Sequence, residues 1–206
     1  MPQRSFGSFY DQLTPWATTM IIELLNREHR NIERLLAVLE HELDIFDRAD
    51  RPDYEVIRAI IAYFEIYTEM YHHPQEDRVF AKLRIRDPAA AAKIGDLTQE
   101  HKKGAERLRR VAKAVDAVLA GREILRQDVD TIVRDFLEHE RRHIMMEDRD
   151  FFPAAQKALP SDDWAEIAEA RSHHKDPLFS DATETRFDAL RAHILQLERE
   201  AEADRH

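Results

Sequence analysis

The sequence predicts an all-α fold, an up-down-up-down four-helix bundle with a C-terminal helical extension. Glycine and proline together account for 12 of 206 residues, about half of their average usage, and both residues interrupt helices. Apolar residues recur at alternating spacings of three and four along four long segments, as the helices of a bundle require. Short turns between these segments make neighbouring helices antiparallel.

The apolar periodicity predicts four bundle helices and two helices in the extension. Asp50 or Asp53 is expected to cap the second helix. Pro74 lies inside the second helix and is expected to kink it, because proline lacks the backbone N–H. Gly121 is expected to end the third helix, and Pro153 the fourth. The predicted ranges are 18–48, 53–84, 89–120, 127–152, 161–172 and 181–203.

The chain has no Gly/Ser-rich linker, so a single domain is predicted. Residues 1–17 are interpreted as an irregular N-terminal arm and residues 18–155 as the four-helix bundle. Residues 156–206 are interpreted as a C-terminal helical extension that packs on the same domain. An irregular HHKDPLF segment joins the two predicted helices of this extension.

The composition argues against several classes of protein and site. The chain has no cysteine, which excludes disulfides, thiolate metal sites and cysteine nucleophiles. Its net charge of −10, with no basic stripe, argues against binding to nucleic acid or anionic membranes. The longest apolar run, Ala59–Phe64, is far shorter than the ~20 residues that span a bilayer. No apolar signal segment is visible near the N-terminus, and we expect a soluble, cytoplasmic protein.

Histidine is unusually frequent, with 11 copies in the chain, about twice its ordinary share. The apolar seam of each predicted bundle helix contains a histidine, and two of these helices carry a glutamate one turn later. These six residues are His29, His72, Glu76, His101, His143 and Glu147. Histidine and glutamate are costly to bury unless they are paired or ligated, so the seam positions indicate a shared partner.

The four seam histidines are predicted to lie at one level of the bundle. His29 precedes the first turn, which is centred near Asp50, by almost the same stretch of chain as His72 follows it. His101 and His143 flank the third turn, centred near Glu123, in the same nearly symmetric way. At a rise of about 1.5 Å per residue, the positions of each pair agree within about one helical turn.

The residue types at this level predict metal chemistry. Imidazole and carboxylate groups without thiolate are typical ligands of iron, manganese, zinc or copper. The i, i+4 spacing places His72 with Glu76, and His143 with Glu147, on one face of each helix. Two bridging carboxylates suit a pair of metal ions about 3.5–4 Å apart. The sequence therefore predicts a two-metal site inside the bundle.

Four segments carry this pattern: EHRNIERLL, YHHPQEDRVF, QEHKKGAERL and RRHIMMEDRDFFP. Over about residues 19–155 they resemble the H…H-x-x-x-E…H…H-x-x-x-E pattern of the hemerythrin-like HHE cation-binding domain, and the DPLF segment resembles a C-terminal extension of some relatives. The resemblance implies a four-helix bundle with a non-haem di-iron site that meets oxygen. Carried over position by position, the implied ligands are His29, His72, Glu76, His101, His143 and Glu147.

The sequence departs from the family pattern at two ligand positions. Classical members have H-x-x-x-H on the third helix, whereas this chain has Ala105 at the second of these positions. They also use an aspartate five residues after the fourth-helix histidine. Asp148 has that offset, but Glu147 mirrors Glu76 and faces the seam better, so Glu147 is the preferred ligand.

Two further histidines are candidate ligands. His139, one turn before His143, is either the replacement for the missing third-helix ligand or a neighbour of the site. His73 is either a ligand on the flank of the site or a solvent-facing neighbour of His72. The remaining histidines are interpreted as surface or extension residues without a ligand role; they are His41, His173, His174, His193 and His206.

The resemblance implies a protein that binds or senses dioxygen, or a related redox signal, with two iron ions as cofactor and other divalent transition metals as substitutes. Such a binding protein is favoured over a fast enzyme. One alternative is a ferritin-like oxidase or peroxidase, because E-x-x-H pairs end at His72 and His143; it would also need Glu28 and Glu100 as ligands. The other is an iron donor or iron-responsive protein, whose extension would bind a partner or form a homodimer.

Overall fold

All regular structure in the described part of the chain is helical. A computed structural model describes residues 14–171, 175–180 and 185–203. Its elements are α1 (Thr14–Asp47), α2 (Tyr54–Tyr63), a first π-helical segment (Phe64–His72), α3 (His73–Arg86), α4 (Pro88–Ile94), α5 (Leu97–Leu119), α6 (Arg126–Met146), a second π-helical segment (Glu147–Phe151), α7 (Phe152–Ala158), α8 (Ser161–Glu169), a 3₁₀ turn (Thr185–Phe187) and α9 (Asp188–Ala203). The predicted helical bundle with a C-terminal extension is confirmed.

Two predicted helix boundaries are wrong, each for a local reason. The third bundle helix is not continuous over 89–120, because Gly95 adopts a φ of 94° and breaks it. Asp96 then caps α5 by accepting a hydrogen bond from the Gln99 N–H. The fourth bundle helix does not stop at Pro153 but continues to Ala158, since proline is compatible with the first turn of α7.

The other helix ends differ from the predictions by a few residues. α1 begins at Thr14 rather than residue 18, and α8 ends at Glu169 rather than residue 172. Asp53 caps α2, as one of the two predicted candidates. Gly121, with a φ of 62°, ends the third bundle helix in a Schellman motif, in which the Arg122 N–H donates to the Ala117 carbonyl. Positions 1–13 of the predicted arm, and 181–184 in the predicted last helix, lie outside the described residues.

The two π-helical segments lie beside the histidine level and have a common cause. Each segment ends two residues before a proline, Pro74 in α3 and Pro153 in α7. Proline cannot donate to the carbonyl four residues earlier and its ring crowds that carbonyl, and a locally wider turn is one way to accommodate this. The expected disturbance at Pro74 therefore takes the form of a π-helical segment that ends at His72.

Apolar side chains form two clusters, one on each side of the histidine level. The larger apolar cluster includes Leu36, Leu39, Ile60, Phe64, Val111 and Phe136. The smaller apolar cluster includes Ile21, Leu25, Val79, Phe80, Leu97, Phe151 and Trp164. Along α1 the smaller cluster precedes His29 and the larger one follows, whereas along the second bundle helix the order is reversed. This antiparallel order brings the histidines of all four helices to one level.

The extension packs on both apolar clusters. Trp164 of α8 is buried in the smaller cluster, and the buried Asp163 carboxylate accepts hydrogen bonds from Lys82 and Arg86 of α3. In the DPLF segment, Asp176 accepts from the Leu178 and Phe179 N–H groups and from the Tyr63 hydroxyl at 2.9 Å. Three residues of the 3₁₀ turn and α9 then enter the larger cluster: Phe187, Leu190 and Ile194.

The helices of the described ranges lack the features of a membrane-spanning segment. None of them combines the length and the apolar composition needed to cross a bilayer.

Replacement of Trp164 by alanine tests whether α8 is part of the folded core. Because the indole is 1% exposed, Trp164→Ala is expected to lower the free energy of unfolding by about 3–5 kcal/mol. Ile85→Ala is the control, since Ile85 is 71% exposed and its loss should change the free energy by no more than about 0.5 kcal/mol. Urea unfolding of the metal-free proteins measures both, and equal midpoints would contradict the packing described for α8.

Candidate metal centre

Glu76 lies at the centre of the histidine level and is completely buried. Its Oε1 is 3.1 Å from His29 Nε2 and 3.3 Å from His72 Nε2. Its Oε2 is 3.4 Å from His101 Nε2. One oxygen of the Glu76 carboxylate therefore faces His29 and His72, and the other oxygen faces His101.

Glu147, at the start of the second π-helical segment, is also completely buried and makes the complementary set of contacts. Its Oε1 lies 3.3 Å from His143 Nε2 and 3.5 Å from His101 Nε2. Its Oε2 lies 3.4 Å from His29 Nε2. The centre thus has two halves, one at His29 and His72 and the other at His101 and His143. Each carboxylate has one oxygen in each half.

The spacing of these atoms fits ligation by metal ions. Ligand atoms that bind one ion at ~2.1 Å in tetrahedral or octahedral geometry lie roughly 3.0–3.4 Å apart. The nitrogen–oxygen distances given above span 3.1 to 3.5 Å. The donor atoms therefore already have about the separation that a shared metal ion requires.

Carboxylates outside the centre orient three of the histidines. The pairs are His29 Nδ1 with Asp148 at 2.7 Å, His72 Nδ1 with Glu28 at 2.8 Å, and His101 Nδ1 with Asp77 at 3.2 Å. Glu28 in turn accepts from the Tyr67 hydroxyl, and Asp77 from the Thr98 hydroxyl. Such outer carboxylates fix the orientation of metal-binding imidazoles and direct the opposite nitrogen to the ion.

The structure separates the two carboxylates that follow His143. Glu147 points into the centre, whereas Asp148 is 44% exposed and contacts the outer nitrogen of His29. This arrangement gives the adjacent acidic residues different positions, one at the centre and one behind a histidine.

His73 and His139, the two uncertain candidates, lie in different places. His73 is buried and its ring stacks on His101 at 4.0 Å. One ligand atom from each of His73, Glu76, His101 and His143 falls within 4.8 Å of the others. His139 is also buried, and its ring stacks on that of His143 at a centroid distance of 6.1 Å. In the part of the chain that the structure describes, His139 belongs to no such group of ligand atoms.

Unpaired buried atoms indicate that the centre is built for a cation. Within the described residues, the atoms without a hydrogen-bond partner include Glu76 Oε2, both carboxylate oxygens of Glu147 and both ring nitrogens of His143. A buried polar atom without a partner costs about 1–3 kcal/mol, and more when it is charged. Metal ions would satisfy these atoms together, and the donor set of imidazole and carboxylate is one that divalent transition metals accept.

Comparison with known families agrees with this geometry. The family model of the hemerythrin HHE cation-binding domain matches residues 20–155. The chain belongs to the hemerythrin HHE family. Comparisons with curated proteins and with solved structures gave no match. Membership supports cation binding in a helical bundle, and the buried histidine and glutamate groups of this HHE domain are suited to hold the metal.

The carboxylates of the HHE domain determine the charge of its histidines when metal is absent. Burial lowers the pKa of His29, but Asp148, Glu147 and Glu76 outweigh it and raise that pKa well above its ordinary value. Burial also opposes the charged form of His101, yet its carboxylate neighbours raise its pKa to about 12. Two imidazolium groups therefore neutralise two buried carboxylates in the metal-free centre.

The carboxylates remain ionised in this arrangement. Burial and the charge of Glu76 raise the pKa of Glu147, but the histidines around it lower the pKa to about 2. Burial lowers the pKa of His73 well below its ordinary value, and neighbouring His101 lowers it further. The centre therefore combines neutral and cationic histidines around two anions.

Several residues at the centre gave a weaker signal in the sequence. The outer carboxylates Glu28, Asp77 and Asp148 each adjoin a predicted ligand in the sequence, which is the one pattern that could have found them. Gly104 is another residue with a weak signal in the sequence. It allows a close approach of α6, because a Cβ at this position would lie 2.7 Å from Glu140 Oε1. A glycine inside a long helix is the signal for such a close approach.

Metal binding is expected to release protons. At pH 7 the raised pKa values keep His29 and His101 protonated in the metal-free centre, and an imidazole must lose a proton from the nitrogen that ligates a metal. Loading is therefore expected to release about two protons per chain. Isothermal calorimetry in buffers with different ionisation enthalpies measures this number, and metal binding without proton release would contradict the charge state described here.

Proposed function

We propose that the HHE domain holds two non-haem iron ions and binds or senses dioxygen at them. The observation that carries this proposal is the histidine-rich donor set, divided into two halves that share two carboxylates. Histidine-rich sites of this kind favour binding of oxygen, whereas carboxylate-rich sites favour its activation. We also propose that the protein acts in the cytoplasm, a reducing compartment that favours ferrous iron.

The proposed ligand set has five histidines and two carboxylates. One half consists of His29 and His72, and the other of His73, His101 and His143; Glu76 and Glu147 are shared between the halves. In this proposal His73, rather than His139, supplies the ligand that the third helix lacks at Ala105. The support is that His73 lies with three other candidate ligands, whereas His139 belongs to no such group among the described residues and stacks on His143.

The place proposed for dioxygen is the half of the centre that has fewer ligands. A pair of ferrous ions held at the centre would supply electrons to dioxygen when dioxygen binds. The half with His29 and His72 has one histidine fewer, so it is the half with room for a small ligand. A surface cleft of about 560 Å³ between α1 and α6 reaches His29 and Asp148. Other divalent transition metals fit the same donors.

Apolar and aromatic side chains limit access to the centre. Phe152 stacks on His29 at 5.3 Å, and Phe64 packs edge-on against Phe136 at 5.3 Å in the larger apolar cluster. The proposed ligands are all at least nine-tenths buried. A substrate larger than a few atoms cannot reach the completely buried carboxylates of Glu76 and Glu147 without opening the bundle, which favours a small diatomic ligand.

The geometry favours this function over a ferritin-like oxidase. That alternative needs Glu28 and Glu100 as ligands. Glu28 is held against the outer nitrogen of His72 and the Tyr67 hydroxyl, and Glu100 pairs with Lys103 in an exposed contact. Trp164 and the buried residues of α9 pack on the bundle itself. These side chains therefore do not provide the dimer or partner contact expected of the extension.

Glu76→Gln tests the shared carboxylate. Glutamine keeps the shape of the side chain but removes the charge, so bound iron is expected to fall from about two per chain to one or none. Metal-dependent stabilisation should fall with it, because binding to the native state alone raises stability by mass action. Elemental analysis and thermal unfolding with and without iron measure the two effects.

The matched control for this variant is Glu138→Gln, which changes a 72% exposed glutamate on α6. It should bind as much iron as the wild-type protein. If Glu76→Gln also retains two ions and the full thermal shift, Glu76 is not a shared ligand.

Exposure of the iron-loaded protein to dioxygen tests the proposed function. The protein is reduced and loaded without oxygen, and dioxygen is then admitted. Visible absorbance from charge transfer to ferric iron is expected to rise in proportion to the protein, with uptake of about one dioxygen per iron pair. Optical titration with an oxygen electrode measures both quantities. Rapid continuing consumption of dioxygen with a co-substrate, or exclusive loading with zinc, would contradict the proposal.

A further inference from the structure

We propose a second metal site, formed by His41, Glu42 and His193, that fastens α9 of the extension to α1. It takes a divalent transition metal such as zinc. One ligand atom from each of the three residues lies within 4.8 Å of the others. His41 lies more than three helical turns beyond His29 on the same helix, or about 18 Å along its axis. The site is therefore separate from the centre inside the bundle and does not depend on the function proposed for it.

The Glu42 carboxylate is the core of this second site. Glu42 is 1% exposed, and its Oε2 accepts a hydrogen bond of 2.7 Å from the Asp53 N–H. That bond fixes the carboxylate at the turn between α1 and α2. The other oxygen, Oε1, is buried and has no hydrogen-bond partner among the described residues. A fixed, buried carboxylate oxygen without a partner is costly, so it calls for a positive ligand.

His193 of α9 presents a nitrogen to this oxygen. The distance between His193 Nε2 and Glu42 Oε1 is 3.1 Å, but the two atoms are not aligned as a hydrogen bond, and within the described residues the buried nitrogen has no other partner. Two donor atoms that lie about 3 Å apart and share no hydrogen bond have the separation of two ligands on one metal ion. The nitrogen–oxygen distances at the centre inside the bundle, 3.1 to 3.5 Å, begin at the same value.

His41 completes the donor set from the surface. Its ring lies 6.3 Å from that of His193, and the residue is partly exposed. Two imidazoles and one carboxylate form a known set of zinc ligands that leaves a fourth position for water. The exposure of His41 gives that position access to solvent, so the ion can enter without unfolding the bundle.

A metal ion at this site would stabilise the docking of the extension. On α9, His193 lies three residues after Leu190 and one residue before Ile194, and both of these are buried against the bundle. Ligation of His193 therefore holds the apolar face of α9 on the larger apolar cluster. Because undocking of α9 separates His193 from Glu42, the ion binds the docked form only and shifts the equilibrium toward it.

Zinc titration of the full chain tests the proposal. The wild-type protein is expected to bind one more zinc ion than either His193→Ala or His41→Ala, since all three keep the centre inside the bundle. Hydrogen exchange of the α9 amides should slow on zinc addition, by up to about 100-fold at a free zinc concentration of one hundred times the dissociation constant. Both single variants should show less slowing than the wild-type protein, since zinc at the centre inside the bundle stabilises all three proteins alike.

Two controls keep the experiment decisive. Leu195→Ala changes a 47% exposed residue of α9 and should retain both the extra zinc and the slowing. His41→Ala removes a ligand that is not part of the core, so it remains informative if His193→Ala loosens α9. An unchanged zinc count in both histidine variants, or equal zinc protection of α9 in His41→Ala, would overturn the proposal. Loss of iron or oxygen binding at the bundle centre would leave these readouts unaffected.

Discussion

The burial of two carboxylates in an apolar bundle is the constraint on which the rest of this structure depends. Glu76 and Glu147 are completely removed from solvent, and an isolated anion in such a place is prohibitively costly. The fold therefore has to bring positive charge to them from every helix. Four histidine Nε2 atoms, one from each bundle helix, lie within 3.5 Å of one of the two carboxylates.

This constraint accounts for features that otherwise look unrelated. The histidines need fixed orientations, and carboxylates on the outer side supply them, as Glu28 does for His72. The polar level needs to be sealed, and the two apolar clusters lie on either side of it. The metal-free centre balances its anions with protonated His29 and His101, which links metal loading to proton release. The same chemistry, a buried carboxylate facing histidine, recurs at Glu42 on a smaller scale.

Periodicity and spacing predicted the helical bundle and the level at which its histidines meet, because both depend on helix geometry alone. They could not predict the break at Gly95, which depends on a single residue with positive φ, or the helix that continues through Pro153. The position of His73 also lay beyond the sequence, since the π-helical segment before Pro74 affects how adjacent histidines face the core. Contacts between distant segments, such as His193 with Glu42, have no local signal in the sequence.

Crystallography of the iron-loaded protein, with anomalous diffraction at the iron edge, is the most direct test of the proposed two-iron centre. Two iron positions are expected, one beside His29 and His72 and the other beside His73, His101 and His143, with Glu76 and Glu147 between them. A single iron position at this level, or iron ligated by His139 in place of His73, would contradict this expectation.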